Sequence, residues 1–372
     1  MFEELRIRGK VLRIIPSGGE DAAVVDAIVA DEHEYMRVSF FGKHAEFVLD
    51  EVRIGDVLNI ENAYLPRGTF VRGLRRLKVA HGSRITIEKG AEIRALRSWN
   101  PVHMTVLAIA RPEKGKVCVA GVDRDGNWLR PQSIYLNEIE NHKFRNLCVS
   151  RIYVDAWRGR RPRKEDRFLI HSEGTVRELD EHESFEFLEK IADKSVKSAF
   201  ESGRTLGLIK AKRILRIHEK RLTPSKNERN RDRNGNKDRD KIKNKIKDKI
   251  KIKNKIKNKT PGKTDEKTDE AGEKSHEIYI HMTFQDTSGS IYRKWPCRCA
   301  EFYKIWNEMR EKHRWTYRWR MLRMLRKNIV YLAIGLTYTD YGTENLQFGA
   351  YPMIVGVHML PSHVARSLKP AR

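Results

Sequence analysis

The sequence has 372 residues, of which 39% are hydrophobic and 34% charged, and its formal net charge at pH 7 is +25. This length suits two or three domains, and the excess of Lys and Arg favours a polyanionic partner, because clustered cations gain free energy by releasing condensed counterions. No apolar run reaches the roughly 18 residues that span a bilayer, so we expect no membrane partner. A surface rich in Lys, Arg and Glu, as in thermophilic proteins, is the alternative explanation of the charge.

Two strands are predicted in the first 30 residues. In residues 5–15 the inward-facing positions fall on every second residue as far as Val11, and the pattern then shifts by one residue to Leu12. A phase slip near a glycine predicts a bulged and strongly coiled strand, which a small barrel needs in order to close. The segment Ala22–Ala30 predicts a second, largely buried strand.

The segment Arg37–Phe41 predicts a third strand. Because side chains alternate across a strand, we expect Phe40 in the core and Arg37 and Phe41 on the outer face. Exposed aromatic rings beside cations can hold unstacked bases. Arg37 and Phe41 are therefore candidate nucleic-acid-binding residues.

The rest of the first quarter of the chain predicts a closed barrel. A short helix is predicted at His44–Leu49, and a fourth strand that ends at Tyr64. After a basic tip with glycines, Pro66–Gly73, a fifth strand follows, and the barrel is expected to finish near Glu88. Five strands with a helix between the third and fourth have the layout of an OB fold. The fold class is therefore predicted as mainly β, with an OB barrel at residues 1–92.

The motifs FFGKHA, GDVLNIENAY and FVRG in this stretch resemble the OB fold of archaeal and eukaryotic single-stranded-DNA-binding proteins. The resemblance implies that Phe41, Tyr64 and Phe70 are the base-stacking residues, with smaller rings where that family carries Trp. Candidate cationic contacts around these rings are Arg37, Lys43, Arg67, Arg72 and Arg84.

Asn100-Pro101 predicts a domain boundary, after which strand-like segments begin a β-rich module at residues 101–219. The passage VCVAGVDRDGNWLRPQS resembles the opening of prokaryotic dual-OB domains. The resemblance implies further small barrels and association with nucleic acid, without assigned catalytic residues. The basic tip that follows the strand Leu147–Val154 is either a solvated loop or a phosphate contact, and its candidate residues are Trp157, Arg158, Arg160 and Arg161.

A helix is predicted from Asp180 to Phe200, capped by Asp180 with Glu183. Residues 220–276 then form a Lys-rich insertion, in which Lys220–Ser275 hold 21 Lys or Arg against 10 Asp or Glu. A strand over its centre, KIKNKIKDKIKIKNKIKNK, would place ten lysines on one face. We therefore expect a disordered tract that gains some helix on an anionic partner. A solvated spacer without a partner is the alternative.

Residues 277–362 are predicted to complete the β-rich module with three strands, Ile278–Phe284, Ile329–Thr337 and Phe348–Val357. The longest helix is predicted at Glu301–Lys327. Trp315 and Trp319 lie one helical turn apart in it, which favours anchoring of the helix to a core. The alternative is a helix whose arginines line a nucleic-acid path.

The sequence predicts a protein that is not an enzyme and has no cofactor or metal. It lacks a Gly-x-Gly-x-x-Gly motif after a strand, a P-loop and a His-Glu-x-x-His motif. The four cysteines form no Cys-x-x-Cys unit and MFEELRIRGK has no signal-peptide core, which fits a reduced, cytoplasmic protein without structural zinc. The triplet Glu32-His33-Glu34 resembles a metal-binding one but falls in a loop tip. A nuclease with scattered carboxylates and a divalent ion is the enzymatic alternative.

The sequence thus predicts a nucleic-acid-binding protein of DNA repair, replication or defence. Single-stranded DNA is the first ligand, on the family resemblance alone. RNA is the alternative ligand, because stacking rings do not distinguish the two without 2′-hydroxyl contacts. A further hypothesis is a protein-docking subunit of a repair or defence complex, in which one barrel binds the partner.

Overall fold

The computed structural model describes residues 4–16, 24–65, 76–79, 81–113, 115–157, 163–201, 203–221, 278–337 and 350–367. The chain divides into two compact units, Met1–Ile217 with Met282–Arg372 and, separately, His218–His281. The described part of the second unit consists of the end of one strand and the beginning of the next. Almost all of the predicted Lys-rich insertion therefore lies outside the described residues.

The first barrel contains β1 (Glu4–Pro16), β2 (Val24–Ala30), β3 (Tyr35–Phe41), α1 (Lys43–Glu51), β4 (Val57–Tyr64), β5 (Arg76–Val79) and β6 (Arg84–Glu88). The ladder runs β1-β2-β3-β5-β4, and β4 pairs back to β1, so that the ring closes. β3 and β5 are parallel, and β6 continues the ladder along β4. This order, with a helix between the third and fourth strands, is that of an OB fold and confirms the predicted N-terminal barrel.

The predicted phase slip in β1 is a bulge. The register of β1 against β2 shifts between Val11 and Arg13, and consecutive residues Val11 and Leu12 are both buried. Val11 packs in the core of the first barrel, while Leu12 packs in a separate cluster with Phe168 and Ile170 of the second barrel. The bulge changes the direction in which the side chains of β1 point. This strand therefore contributes residues to two apolar clusters.

The second barrel contains β7 (Val102–Ile109), β8 (Lys116–Val117), β9 (Val119–Val122), β10 (Trp128–Gln132), β11 (Ile134–Tyr135), α2 (Leu136–Glu140), β12 (Cys148–Ala156) and β13 (Asp166–Glu178). Five of these strands close in the order β10-β13-β12-β7-β9. β10 and β13 are parallel, and α2 lies between the third and fourth strands of the barrel. The second barrel thus repeats the strand order of the first.

The third barrel contains α3 (Glu181–Ile191), α4 (Val196–Glu201), β14 (Leu206–Arg221), β15 (Ile278–Asp286), β16 (Ile291–Cys297), α5 (Ala300–Lys312), α6 (Tyr317–Lys327), β17 (Asn328–Thr337), β18 (Tyr351–Pro361) and α7 (Ser362–Ser367). Its strands close in the order β14-β15-β16-β18-β17. The pairing of β16 with β18 is parallel. The described part of the chain is therefore mainly β, as predicted, and contains three barrels of one strand order.

The helix predicted from Asp180 to Phe200 is interrupted, because tertiary pairing takes the backbone that would continue it. Asp180 accepts a hydrogen bond from the Glu183 backbone N–H at 2.8 Å, as predicted for the N-terminal cap. After α3, however, the backbone N–H of Asp193 donates to the carbonyl of Leu208 on β14 at 2.7 Å. Helix resumes only at Val196.

The single helix predicted at Glu301–Lys327 is wrong, since α5 ends at Lys312 and α6 begins at Tyr317. The predicted anchoring of this segment by Trp315 and Trp319 is also wrong, because their side chains are 96% and 59% exposed. The buried rings are those of Trp306 and Tyr317, which meet edge to face with centroids 5.2 Å apart. The break turns α6 so that Tyr317, rather than either exposed Trp, faces the core.

The second and third barrels share one apolar cluster, in which Leu107 of β7 packs with Tyr331 and Val355 of the third barrel. Nε2 of the buried His358 lies 2.8 Å from the carbonyl oxygen of Leu107. A Cβ atom at Gly356 would lie 2.1 Å from the same oxygen, so only glycine permits this approach of β18 to β7.

The first and second barrels are joined by buried polar contacts. Arg13 of β1 and Glu138 of α2 are 2% and 6% exposed. The Arg13 guanidinium donates to both carboxylate oxygens of Glu138, at 3.0 and 2.7 Å, and to the carbonyls of Leu169 and Ser133. Tyr35 of β3 also donates to Asp155 at 2.9 Å.

None of the helices in the described ranges is both long enough and apolar enough to cross a membrane.

Candidate nucleic-acid interface

Tyr64 reaches the outer face of the first barrel through a bulge in β4. Between residues 60 and 63, β4 holds one residue more than the facing part of β1. Asn62, within this bulge, has a φ of 56°, a left-handed conformation that Asn adopts more readily than most residues. The bulge inverts the alternation, so that Ile60 and Ala63 are both buried and Tyr64 is partly exposed.

Three predicted site residues, Phe41, Lys43 and Tyr64, line one pocket of about 290 Å³. Phe41 ends β3, Tyr64 ends β4 and Lys43 begins α1. The Phe41 side chain is 38% exposed, whereas its neighbour Phe40 is completely buried, as the alternation of β3 predicts. The other lining residues are Gly42, His44, Val79 and His81. The ends of two strands and the start of a helix thus bring two aromatic rings and a lysine together.

Lys78 adds a cation to this site that sequence reasoning missed. It is the ladder partner of Tyr64, and its Nζ lies 5.7 Å from the centroid of the Phe41 ring. A cation over a ring face orients the ring and strengthens the positive potential beside it. The alternation Leu77-Lys78-Val79, with both neighbours buried, was the signal that could have placed Lys78 outward.

Gly42 brings Phe41 and Lys43 to the same pocket. Its φ of 54° and ψ of −128° favour a residue without Cβ, and this turn takes the chain directly from β3 into α1. Two histidines that were not predicted also line the pocket, His44 and His81. Nε2 of His44 is buried and has no hydrogen-bond partner within the described ranges, so a bound ligand could satisfy it.

Arg37 binds a buried carboxylate instead of lining the pocket. It forms an ion pair with Asp26, whose side chain is completely buried. The same carboxylate accepts a hydrogen bond from Ser39 and lies 3.8 Å from the Arg76 guanidinium. Burial raises the pKa of Tyr135 on the second barrel. The positive charge of Arg37 lowers this pKa, and the negative charge of Asp26 raises it. The Arg37 charge is therefore paired with that of Asp26 and is not part of the pocket lining.

Two further predicted residues lie away from the pocket lining. Arg84 is exposed on β6, where it pairs across the ladder with Glu61. The pKa of Glu61 is lowered, mainly by its hydrogen bond with Arg6 and to a lesser extent by Arg84. Trp157 is partly buried and packs against the apolar cluster between the first two barrels, which includes Phe168. Trp157 therefore contributes to packing.

The remaining predicted site residues lie outside the described residues. They belong to the tip between β4 and β5 and to the basic tip after β12: Arg67, Phe70, Arg72, Arg158, Arg160 and Arg161.

Across the described ranges, no group of three or more His, Cys, Asp or Glu side chains could hold a metal ion. The triplet Glu32-His33-Glu34 forms a turn closed by Asp31, whose carboxylate accepts hydrogen bonds from two of its backbone N–H groups at 2.8 Å. Its carbonyls are also used, since Trp99 donates to the carbonyl of His33 at 3.0 Å. The triplet therefore has a structural explanation.

No protein-family model matches the sequence, and no curated protein matches it. Membership of the two families that the motifs resemble stays a prediction.

Solved structures similar to this chain include three OB-type or DNA-bound proteins. The OB domain of Ta0387 from Thermoplasma acidophilum is 25% identical, with 24% of this chain and 78% of that chain covered and a TM-score of 0.18. A replication protein A heterotrimer bound to single-stranded DNA is 9% identical, with 98% and 94% covered and a TM-score of 0.26. The Ifi202 HINa domain in complex with 20-bp double-stranded DNA is 12% identical, with 48% and 99% covered and a TM-score of 0.26.

Proposed function

We propose that this protein binds single-stranded nucleic acid, and that the pocket at the ends of β3, β4 and β5 holds an unstacked base. The observation that supports this most directly is the meeting of the Phe41 and Tyr64 rings with Lys43 and Lys78 around that pocket. Aromatic faces accept bases of any sequence, while the lysines contact the phosphates that connect them. None of the described residues that line the pocket is acidic, so none of them repels a phosphate.

Single strands suit this site better than duplexes. A volume of about 290 Å³ is at the lower end of the range for small-ligand pockets, which suits a base and its sugar better than a base pair. The bases of a duplex also cover one another's faces, so that rings such as Phe41 have no surface on which to stack. The proposed ligand is single-stranded DNA, which the motifs FFGKHA and GDVLNIENAY imply by resemblance, and RNA is its competitor. The proposed setting is DNA repair, replication or defence, and the proposed role is binding without catalysis.

The test compares affinities of the full chain and its variants for labelled single-stranded DNA, RNA of the same sequence and the corresponding duplex. Phe41→Ala and Tyr64→Ala should each weaken single-strand binding by about 1 to 3 kcal/mol, the value of one base–aromatic stack. Lys78→Gln should reduce the slope of log affinity against log salt by about 0.7, the value of one phosphate contact on a single strand. Fluorescence anisotropy at several salt concentrations measures both quantities.

Leu49→Ala is the matched control, because Leu49 is 47% exposed on α1 of the same barrel and does not line the pocket. It should leave the affinity unchanged. If Phe41→Ala and Tyr64→Ala bind as tightly as Leu49→Ala, the pocket is not a base-binding site and the protein-docking hypothesis takes its place. If the unmodified chain prefers RNA to DNA, the proposed ligand becomes RNA and the proposed binding site stays the same.

A further inference from the structure

Among the described residues of the third barrel, the most exposed large apolar side chains lie in a strongly basic segment. Trp315 is 96% exposed and Trp319 59% exposed. Residues 312–327 contain seven Lys or Arg and no Asp or Glu. Scattered exposed apolar residues are normal on a protein surface, but two Trp residues four positions apart within such a cationic segment are not explained by packing.

Packing of α6 accounts for its inner face and leaves the Trp face outside. Tyr317, Met321 and Leu325, spaced one turn apart, are buried against the barrel. Trp319 and Arg323 lie on the opposite side of the helix and are exposed. Removal of either exposed side chain therefore takes nothing from the core.

The Trp319 ring is already oriented by a cation. The Arg323 guanidinium carbon lies 5.1 Å from the Trp319 ring centroid, within the range of a cation–π contact. The guanidinium covers one face of the ring, so a planar ligand would stack on the other. Arg320 is held in place as well, because its Nε donates to the Thr316 hydroxyl at 3.2 Å.

The charge of this surface decides which partner it fits. Trp and Arg are enriched in protein–protein interfaces as well, but here the two Trp residues are interleaved with Arg314, Arg318 and Arg320 in a stretch without a carboxylate. This charge fits a polyanion. A single-stranded nucleic acid supplies a flat π-face and a phosphate with every nucleotide, which is the combination that alternating Trp and Arg recognise. A duplex supplies the phosphates but hides the base faces.

We propose that the segment Arg314–Arg323 is a second binding site for single-stranded nucleic acid, in which bases stack on Trp315 and Trp319 and arginines contact the phosphates. The site is on the connection between the third and fourth strands of the third barrel, and it is independent of the pocket at Phe41 and Tyr64. It requires no part of the proposed function of the first barrel. Two sites on one chain would make affinity rise with oligonucleotide length once a strand can reach both.

The test uses the full chain and oligothymidylate, with two readouts. Stacking should quench the fluorescence of exposed Trp side chains during the titration, and anisotropy should report the affinity. In a chain that also carries Phe41→Ala and Tyr64→Ala, the pair Trp315→Ala and Trp319→Ala should weaken the remaining binding by about tenfold or more. Trp315→Phe with Trp319→Phe should abolish the quenching but keep the affinity within a few-fold, because Phe retains a stacking face.

Two controls separate stacking from general effects. Val176→Ala and Ile291→Ala remove exposed apolar side chains outside this segment, which are 50% and 47% exposed, and should change neither readout. A duplex of the same length should be insensitive to Trp315→Ala and Trp319→Ala. An equal loss of duplex affinity would overturn the proposal, since duplex bases offer no face for stacking.

The outcomes for the two sites are distinguishable. If the Trp→Ala pair leaves quenching and affinity unchanged in both backgrounds, the second site is rejected whatever the first pocket does. If the pair abolishes binding while Phe41→Ala and Tyr64→Ala have no effect, the second site stands and the first is rejected. If a polyglutamate probe binds with the same dependence on the two Trp residues and oligothymidylate does not bind, the surface is a docking site for an acidic protein and the proposal is overturned.

Discussion

Phe40 and Phe41 are chemically identical neighbours with different roles in the structure. The Phe40 ring is completely buried in the core of the first barrel, together with Val25 and Val79, its partners on the adjacent strands β2 and β5. The Phe41 ring is partly exposed at the pocket, beside the Lys78 ammonium group. At the scale of single residues, the alternation of one strand thus separates stability from binding.

Phe40→Ala should destabilise the protein by about 3 to 5 kcal/mol, because it removes a buried ring and leaves a cavity. Denaturant unfolding measures this change, and Phe41→Ala is the matched control, with little expected loss of stability. At a temperature where the Phe40→Ala variant is still folded, its affinity for single strands should be close to that of the unmodified chain. Early unfolding of Phe41→Ala together with normal unfolding of Phe40→Ala would contradict the face assignment of β3.

At the scale of elements, β13 of the second barrel contacts β1 of the first through His171. Its Nδ1 lies 3.2 Å from the carbonyl oxygen of Leu12, and its ring is 6.1 Å from that of Tyr153. The pKa of His171 is lowered from 6.5 to about 4, mainly by burial and then by the positive charge of Lys143, and the hydrogen bond to Leu12 opposes this shift. His171 is therefore neutral in the folded protein between pH 7 and about pH 4.

The lowered pKa predicts a loss of stability on acidification. Below pH 6.5 the unfolded chain binds a proton at His171 that the folded protein does not bind, until the pH approaches 4. The free energy of unfolding should therefore fall through this window, by at most about 1.4 kcal/mol per pH unit for this one proton. His171→Gln retains a donor for the Leu12 carbonyl and should make the fall shallower.

The exposed His33→Gln variant is the control for the pH experiment. Burial also lowers the pKa of His103 and of His358, so part of the acid destabilisation should remain in His171→Gln. The measurement is the free energy of unfolding of each protein between pH 7 and 4. An identical pH dependence in the unmodified, His33→Gln and His171→Gln proteins would show that His171 does not titrate between the two states as the structure implies.

At the scale of the whole molecule, the buried ion pair between Arg13 and Glu138 joins the first two barrels. Both side chains are almost completely buried, and the guanidinium also donates to two carbonyls of the second barrel. Such a pair is costly to break, because the partner that remains is a buried and uncompensated charge. The orientation of the first barrel on the second therefore depends on contacts far apart in sequence.

Glu138→Gln should destabilise the protein by about 3 to 5 kcal/mol, since it leaves the Arg13 charge unpaired. The matched control is Glu178→Gln, which removes the carboxylate of an exposed pair with Arg145 and should cost about 1 kcal/mol or less. Replacing Arg13 by Met and Glu138 by Leu together should restore much of the loss, because no buried charge remains. Equal effects of Glu138→Gln and Glu178→Gln in denaturant unfolding would argue against this role.

Features that depend only on neighbouring residues could be predicted from the sequence. The strands of the first barrel, the bulge after Val11, the inward Phe40 and outward Phe41, and the capping of α3 by Asp180 all follow from patterns within a few positions. Such patterns reflect the period of a strand or the geometry of a helix end, and both are local properties of the backbone. The likeness of FFGKHA and GDVLNIENAY to an OB fold adds to the same local information.

Which side chains meet depends on contacts between distant parts of the chain, and these could not be predicted from the sequence. Lys78 joins Phe41 and Tyr64 because β5 lies between β3 and β4, and Arg37 is neutralised because its register places it beside Asp26. The exposure of Trp315 and Trp319 follows from the break before α6, which turns Tyr317 toward Trp306. Each outcome depends on strand register or packing between residues distant in sequence, where periodicity carries no information. Two Trp residues one turn apart predict an apolar face on the helix. Which face is buried depends on how the helix packs against the barrel.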